Sequence, residues 1–126
     1  MKSPQRPTGL VVDDELPIRK MLVEILTLEG FPIETASNGR EALEVLSKSG
    51  PRVVLLDLLM PEVDGRAVIE QLEANPEERA KHRIILVSAF LKLEKYRDLK
   101  VEGRLPKPLT VDQLLNALDA VVSRTD

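Results

Sequence analysis

Three short apolar runs, each uninterrupted and each closed by a polar residue, constrain the fold of this 126-residue chain more than any other feature. Leu10-Val11-Val12 ends in Asp13-Asp14, Val53-Val54-Leu55-Leu56 ends in Asp57, and Ile84-Ile85-Leu86-Val87 ends in Ser88. Continuous runs of this length suit strands buried on both faces, which requires a parallel sheet covered by helices. Two weaker segments extend the set. Phe31 to Ala36 carries Ile33 and Thr35 as its β-formers. Arg104 to Lys107 contains Pro106, which has no N–H to give to a ladder, so this strand belongs at a sheet edge.

Helical patterns separate the strands. Ile18, Met21, Leu22, Ile25 and Leu26 fall on one face, with Pro17 suited to the first turn and Gly30 to the end. Ala42, Val45 and Leu46 mark a second helix, capped by Asn38 with Glu41 as its capping partner. Asp64 caps a third, carrying Val68 and Leu72 and stopping before Pro76. Leu91 to Val101 reads as a short, poorly anchored fourth helix. Val111 to Val122 is the last, with Thr110 and Gln113 as a capping box. The polar loop Asn75 to His82 is expected to be exposed, and His82 with it. Repeated β-α alternation implies a doubly wound α/β fold, (βα)5, with right-handed crossovers. Residues 1–7 are polar and hold two prolines, reading as a flexible tail before a single domain over 8–126.

Composition narrows the chemistry. With no Cys, disulfides, thiolate zinc sites and thiol nucleophiles are excluded, and one His excludes a multi-His metal site. A net charge of −3 supplies no overall basic field for nucleic acid or anionic membranes. No apolar run is long enough to span a bilayer and no signal peptide is evident, so the cytoplasm is the default compartment. Aromatics are limited to Phe31, Phe90 and Tyr96, so the core must be aliphatic.

In an open α/β sheet, ligands bind beyond the carboxyl ends of the strands. Those ends carry Asp13, Asp14, Asp57, Ser88 and Lys107. Any one of them alone is ordinary loop polarity or a helix cap. Together, each closes a strand on the same rim. Three convergent carboxylates repel one another and stay ionised when a cation neutralises them. With no His or Cys nearby they are hard oxygen ligands, suited to Mg²⁺ or Mn²⁺. A Lys ammonium and a Ser hydroxyl suit phosphate oxygens, and an Asp can accept a phosphoryl group. The residues alone point to metal-assisted phosphoryl transfer, with an aspartyl-phosphate hydrolase still open.

The sequence resembles the receiver domain of two-component response regulators over residues ~8 to ~123, essentially the whole of one domain. The resemblance is carried by Val-Val-Asp13-Asp14-Glu15, by Val-Val-Leu-Leu-Asp57-Leu-Leu-Met60-Pro61-Glu-Val-Asp64-Gly65, by Leu-Val-Ser88-Ala89 and by Pro-Lys107-Pro108. It implies a flavodoxin-like sheet of order 2-1-3-4-5. Asp57 would be the phospho-acceptor, supplied by the phosphohistidine of a sensor histidine kinase or phosphotransfer protein. Asp14, Asp57 and the main-chain carbonyl of Leu59 would bind Mg²⁺, with Asp13 helping through water. Lys107 would pair with a phosphoryl oxygen and Ser88 would hydrogen-bond the phosphoryl group, while small Ala89 leaves access. Lys107-Pro108 would be a cis peptide.

The chain departs from the family pattern at two places on the face made by the fourth predicted helix, fifth strand and fifth helix. Arg104 stands where an aromatic switch residue is usual, and Lys100 where Gly is usual. Arg is always charged and cannot bury as a ring does, so Arg104 is expected to stay outward, against a partner or a nearby carboxylate. Tyr96 and Pro108 lie on the same face, Tyr96 reading as a packing residue. Leu59 and Phe90 stand where, by the resemblance, side chains would tune dephosphorylation, and both are apolar, predicting slow loss of the phosphoryl group. The expected function is a phosphorylation-controlled switch that acts through a downstream protein or effector domain, with no direct nucleic-acid or membrane binding. Homodimerisation on phosphorylation is left open. A hydrolase would usually show Asp-x-Asp, where this chain has Asp57-Leu58-Leu59; an interaction module with a vestigial site is the third reading.

Overall fold

Alternating side chains from a single sheet fill two separate cores. The computed structural model describes residues 6–122; residues 1–5 of the expected tail and residues 123–126 lie outside the described residues. The elements run β1 (Thr8–Val12), α1 (Leu16–Leu28), β2 (Ile33–Ala36), α2 (Gly39–Leu46), β3 (Arg52–Leu56), α3 (Gly65–Glu73), α4 (Pro76–Ala80), β4 (Arg83–Ala89), α5 (Phe90–Lys95), β5 (Gly103–Lys107) and α6 (Val111–Val122). The five strands are all parallel in the order β2-β1-β3-β4-β5, and Pro106 lies on edge strand β5, where its missing N–H costs no ladder bond.

Leu10, Val12, Val54, Leu56, Ile84 and Leu86 point to one face, against Ala42 and Leu46 of α2, Val68 and Leu72 of α3 and Leu93 of α5. Val11, Val53, Leu55, Ile85 and Val87 point to the other, against Leu22 and Leu26 of α1 and Leu114, Leu118 and Val121 of α6. Period-two alternation thus assigns each strand residue to one core or the other, and every residue from Val53 to Leu56 is buried.

The helix ends largely follow the expected chemistry. Asn38 and Asp64 accept from the backbone N–H groups of Glu41 and Ala67, each at 2.9 Å. Thr110 and Gln113 bond reciprocally, at 2.8 and 3.1 Å. Gly30 has φ +87°, and the Phe31 N–H reaches back to the carbonyl of Leu26, a glycine-terminated helix end. That turn takes Phe31 out of the strand, which starts at Ile33, and buries its ring beneath the sheet end.

Three expectations are corrected. The exposed loop over Asn75 to His82 is instead helix α4, capped by Asn75, with Pro76 at its first turn; proline ends one helix and starts the next because the first helical N–H has no intrahelical partner. His82 is buried, at 1% exposure, because α4 returns the chain to the sheet: the His82 N–H donates to the Arg79 carbonyl and the Arg79 guanidinium donates to the His82 carbonyl. Glu41 does not reach back to the Asn38 N–H; its carboxylate accepts from the N–H and hydroxyl of Ser37, at 2.7 and 2.8 Å. The fourth predicted helix is α5, six residues long with Leu93 as its buried residue.

Candidate functional site

Register brings the polar strand ends together. Val12 pairs with Leu56, so Asp13 and Asp57 emerge side by side, and the Asp57 N–H continues the ladder to the Val12 carbonyl at 3.0 Å. On the other side Ser88 and Ala89 pair with Pro106 and Lys107. Asp13, Asp57 and Ser88 are nearly inaccessible at 1%, 4% and 1% exposure, while Asp14, Glu15 and Ala89 are exposed.

Asp57 has a partner on each oxygen. The Ser88 hydroxyl donates to Oδ1 at 2.8 Å and the Leu59 N–H to the same oxygen at 3.2 Å. The Lys107 ammonium donates to Oδ2 at 3.2 Å. The same ammonium lies 2.8 Å from Asp13 Oδ2 and 3.0 Å from Glu15 Oε1. Asp13 Oδ2 is held by the Lys107 ammonium, whereas Oδ1 accepts from the Glu15 N–H at 2.9 Å. Arg19 fixes the Asp13 main chain by donating to its carbonyl at 2.7 Å.

Lys107 contacts Asp13, Glu15 and Asp57, and with Asp14 beside them four clustered carboxylates outnumber the ammonium among them. Burial pushes the Asp13 carboxyl upward, and the hydrogen bond from Lys107 opposes it. Burial alone would lower the Lys107 ammonium, but the hydrogen bonds it donates to Asp13 and Glu15 and the charge of Asp57 outweigh this and hold it well above the ordinary lysine range. Carboxylate oxygens of Asp13, Asp14, Glu15 and Asp57 all lie within 4.8 Å of one another. An all-oxygen donor set with excess negative charge fits a hard divalent cation such as Mg²⁺. The site opens into a groove of about 310 Å³, lined also by Leu59, Ala89 and Lys92.

The loop after β3 is pinned by two close backbone approaches. A Cβ on Gly65 would lie 2.4 Å from the Asp57 carbonyl oxygen, and one on Gly39 would lie 2.0 Å from that of Val63. The Gly65 N–H donates to the Leu58 carbonyl and the Gly39 N–H to that of Val63. Glu62 takes a left-handed φ of 63° between them. The sequence pattern placed Asp64 as the cap of the third helix but did not reveal Gly39, Arg19 and the Glu15 carboxylate as contributors. Glu15 follows Asp13-Asp14 directly, and that adjacency was the available signal.

The remaining predicted residues are dispersed. Leu59 and Phe90 are exposed at the rim, and the Lys107–Pro108 peptide is cis. Arg104 is exposed, as expected, but it does not meet a carboxylate: its guanidinium donates to the carbonyls of Leu99 and Arg97, closing the turn after α5. Tyr96 is half-buried, with the Arg66 guanidinium 5.3 Å from its ring centroid. Among the described residues, no helix is long and apolar enough to cross a membrane.

Comparison with known proteins agrees with this geometry. Residues 10–119 match the response regulator receiver domain family. The chain is 32% identical over 116 residues to response regulator MprA of Mycolicibacterium vanbaalenii, covering 92% of this chain and 50% of that protein. It is 32% identical over 112 residues to sporulation initiation phosphotransferase F of Bacillus subtilis, covering 86% and 88%. The crystal structure of response regulator TrrA from Thermotoga maritima in complex with Mg²⁺–BeF superimposes with a TM-score of 0.78 at 30% identity, covering 92% of this chain and 99% of that one. The chain thus spans about half the length of MprA and most of the two smaller relatives. With the acidic rim, the parallel sheet and a family match across nearly the whole described chain in agreement, this protein belongs to the response regulator receiver domains, the phosphorylatable signalling switches of two-component systems.

Proposed function

We propose that Asp57 accepts a phosphoryl group from a histidine kinase or phosphotransfer protein in a Mg²⁺-dependent reaction, and that the modified domain alters partner binding on the α5–β5–α6 face. The observation carrying this reading is the bracketing of one buried carboxylate by a hydroxyl and an ammonium, at 2.8 and 3.2 Å. An Asp57 oxygen attacks phosphorus, a P–O bond forms, and the P–N bond to the donor imidazole breaks as the ring leaves with the electron pair.

Asp14, Asp57 and the Leu59 carbonyl would hold Mg²⁺, with Asp13 acting through water; when bound, the ion draws negative charge from the transferring oxygens. Lys107 already faces the Asp57 oxygen and can follow the new phosphoryl oxygen as a charge partner. Ser88 must exchange its bond to Asp57 Oδ1 for one to the phosphoryl group, and Ala89 leaves the approach open. Ser88 sits on β4 directly beside Pro106 of β5, so its movement is transmitted to the strand that carries Arg104 and precedes Pro108, and to the α5 end where Tyr96 packs. Leu59 and Phe90 at the rim offer no group to orient an attacking water, so the acyl phosphate is long-lived.

Incubation with acetyl phosphate and Mg²⁺, followed by intact mass, tests the reading. A single phosphoryl adduct that is lost in Asp57→Asn and on chelation supports it. Absence of the adduct, or its persistence in Asp57→Asn, overturns it, and rapid turnover of acetyl phosphate favours a hydrolase.

A further inference from the structure

The end of the sheet opposite Asp57 has the reverse electrostatic character. Arg6, Arg52, Lys81 and Arg83 line a cavity of about 520 Å³ at the N-terminal ends of β1, β3 and β4, and no carboxylate belongs to its lining. In a chain of net charge −3, four cations thus line one cavity with no carboxylate in its lining. Two of the four are compensated from outside the cavity. Arg52, 5% exposed, has its Nε 2.7 Å from Glu34 Oε1, and Lys81 Nζ is 2.9 Å from Glu78 Oε1. The other two are not. The Arg83 guanidinium makes only a long bond to the Ala80 carbonyl, at 3.4 Å, and Arg6 lies 5.2 Å from the Phe31 ring centroid; neither has a carboxylate within ion-pair distance among the described residues.

The Arg52 guanidinium is immobilised as well as buried. It donates to Glu34 and to the carbonyls of Lys48 and Gly50, the latter two at 3.1 Å. The Arg52 wall is therefore fixed and charge-compensated, which leaves the guanidinium groups of Arg6 and Arg83, without a carboxylate partner among the described residues, to meet a ligand. Pro51 and Val53 add apolar surface. The volume falls within the range of small-molecule sites, and guanidinium groups pair with phosphate oxygens in a bidentate geometry that lysine cannot match.

We propose that this cavity binds a small phosphate-bearing anion, at a site separate from the phospho-acceptor and at the opposite pole of the sheet. Two uncompensated positive charges suit a ligand carrying at least two negative ones, a diphosphate or a nucleotide. Occupancy would bridge the entry to β1 and the starts of β3 and β4, the two strands that deliver Asp57 and Ser88 at their far ends.

Amide chemical-shift titration of the full chain tests this, in metal-depleted buffer, with inorganic pyrophosphate and ADP as probes and adenosine as the neutral control. The expected result is saturable shifts at Thr8, Gly50, Arg52 and Arg83, none of that kind at Asp57 or Ser88, and no response to adenosine. Affinity should fall about tenfold or more in Arg6→Gln/Arg83→Gln, and with added salt, while Asp57→Asn binds normally. Each single variant is measured too, so a folding failure of the double variant leaves the test intact. Absence of saturable shifts with either anion overturns the proposal, as do shifts confined to the Lys107 pole, equal binding of adenosine, or undiminished binding in the Arg variants. Shifts at this cavity produced only by an oligoglutamate peptide would assign it to an acidic protein partner instead and overturn it equally.

Discussion

Adding one methyl group at Gly65 should damage both the stability of the domain and its chemistry. Gly65 is the first residue of α3, and its backbone lies directly on the chain segment that carries Asp57. A Cβ there would sit 2.4 Å from the Asp57 carbonyl oxygen, 2.9 Å from Leu58 Cα and 3.1 Å from the Asp57 carbonyl carbon. The shortest of these falls short of the ~3.5 Å optimum for non-bonded heavy atoms by about 1 Å. All three neighbours are main-chain atoms at the end of a buried strand, so no flexible side chain can yield. Overpacking of this kind costs about 1–3 kcal/mol or more. Separating the helix from the loop also strains the bond from the Gly65 N–H to the Leu58 carbonyl, worth about 1 kcal/mol. Gly65→Ala should therefore lose about 3 kcal/mol, a large share of the ~5–15 kcal/mol typical of a domain. For a domain of this size that lowers Tm by roughly 10 °C or more. Urea unfolding should show a lower midpoint with unchanged slope, and phosphorylation by acetyl phosphate should slow because the Asp57 carboxylate is displaced. Gly50→Ala is the control: its Cβ would meet nothing within 4 Å, and only its φ of +112° resists substitution, costing about 1 kcal/mol. Equal and small losses for both variants would refute the steric argument.

Three further outcomes can be checked directly. Burial and the charge of Arg52 push His82 below its ordinary value, so the unfolded chain takes up a proton that the folded protein refuses. This contribution to stability is present above about pH 6.5 and is lost as pH falls below it, by up to ~1.4 kcal/mol per pH unit; denaturant melts of His82→Leu should lack that slope just below about pH 6.5, and a slope equal to that of the unmodified protein would count against it. Arg104→Ala removes the guanidinium bonds to the Leu99 and Arg97 carbonyls, so amide exchange in the turn after α5 should quicken about tenfold while the strands stay protected; unchanged exchange would show that the guanidinium does not hold the turn. Replacing Leu59 and Phe90 together by polar side chains should speed decay of the Asp57 phosphoryl group on the order of tenfold, and an unaltered decay rate would dismiss these positions as its control.

Much of the site was legible because strand register in a parallel sheet is a simple consequence of buried apolar runs. Asp13, Asp57 and Ser88 each end such a run; pairing sets Asp13 level with Asp57 and brings Ser88, one residue further along β4, within reach of Asp57. Lys107 was legible for the same reason once Pro106 had located an edge strand. What local pattern did not reveal were contacts made across long separations. The Glu15 carboxylate meets Lys107, and Gly39 receives the Val63 carbonyl; neither residue differs locally from a surface acid or a helix-start glycine. Arg104 was rightly expected to face outward, yet its partners are carbonyls of a turn whose geometry exists only after α5 has docked.

His82 and α4 show the same division from the other side. A polar, charged segment such as Asn75 to His82 has no apolar stripe, so periodicity cannot distinguish a short solvated helix from a loop. Its Asn75-Pro76 start is a capping signal that composition obscures.

By itself the sequence determined the architecture, because uninterrupted apolar strands can be buried only in a two-sided α/β sandwich, and it determined the rim chemistry, because each polar residue terminates a strand. The tertiary structure alone decided which charges meet. Lys107 is shared among three carboxylates, while at the opposite pole Arg52 and Lys81 pair with Glu34 and Glu78 and Arg6 and Arg83 have no carboxylate partner among the described residues. Electrostatic partnership depends on distance in space and on burial, and neither is written in the spacing of residues along the chain.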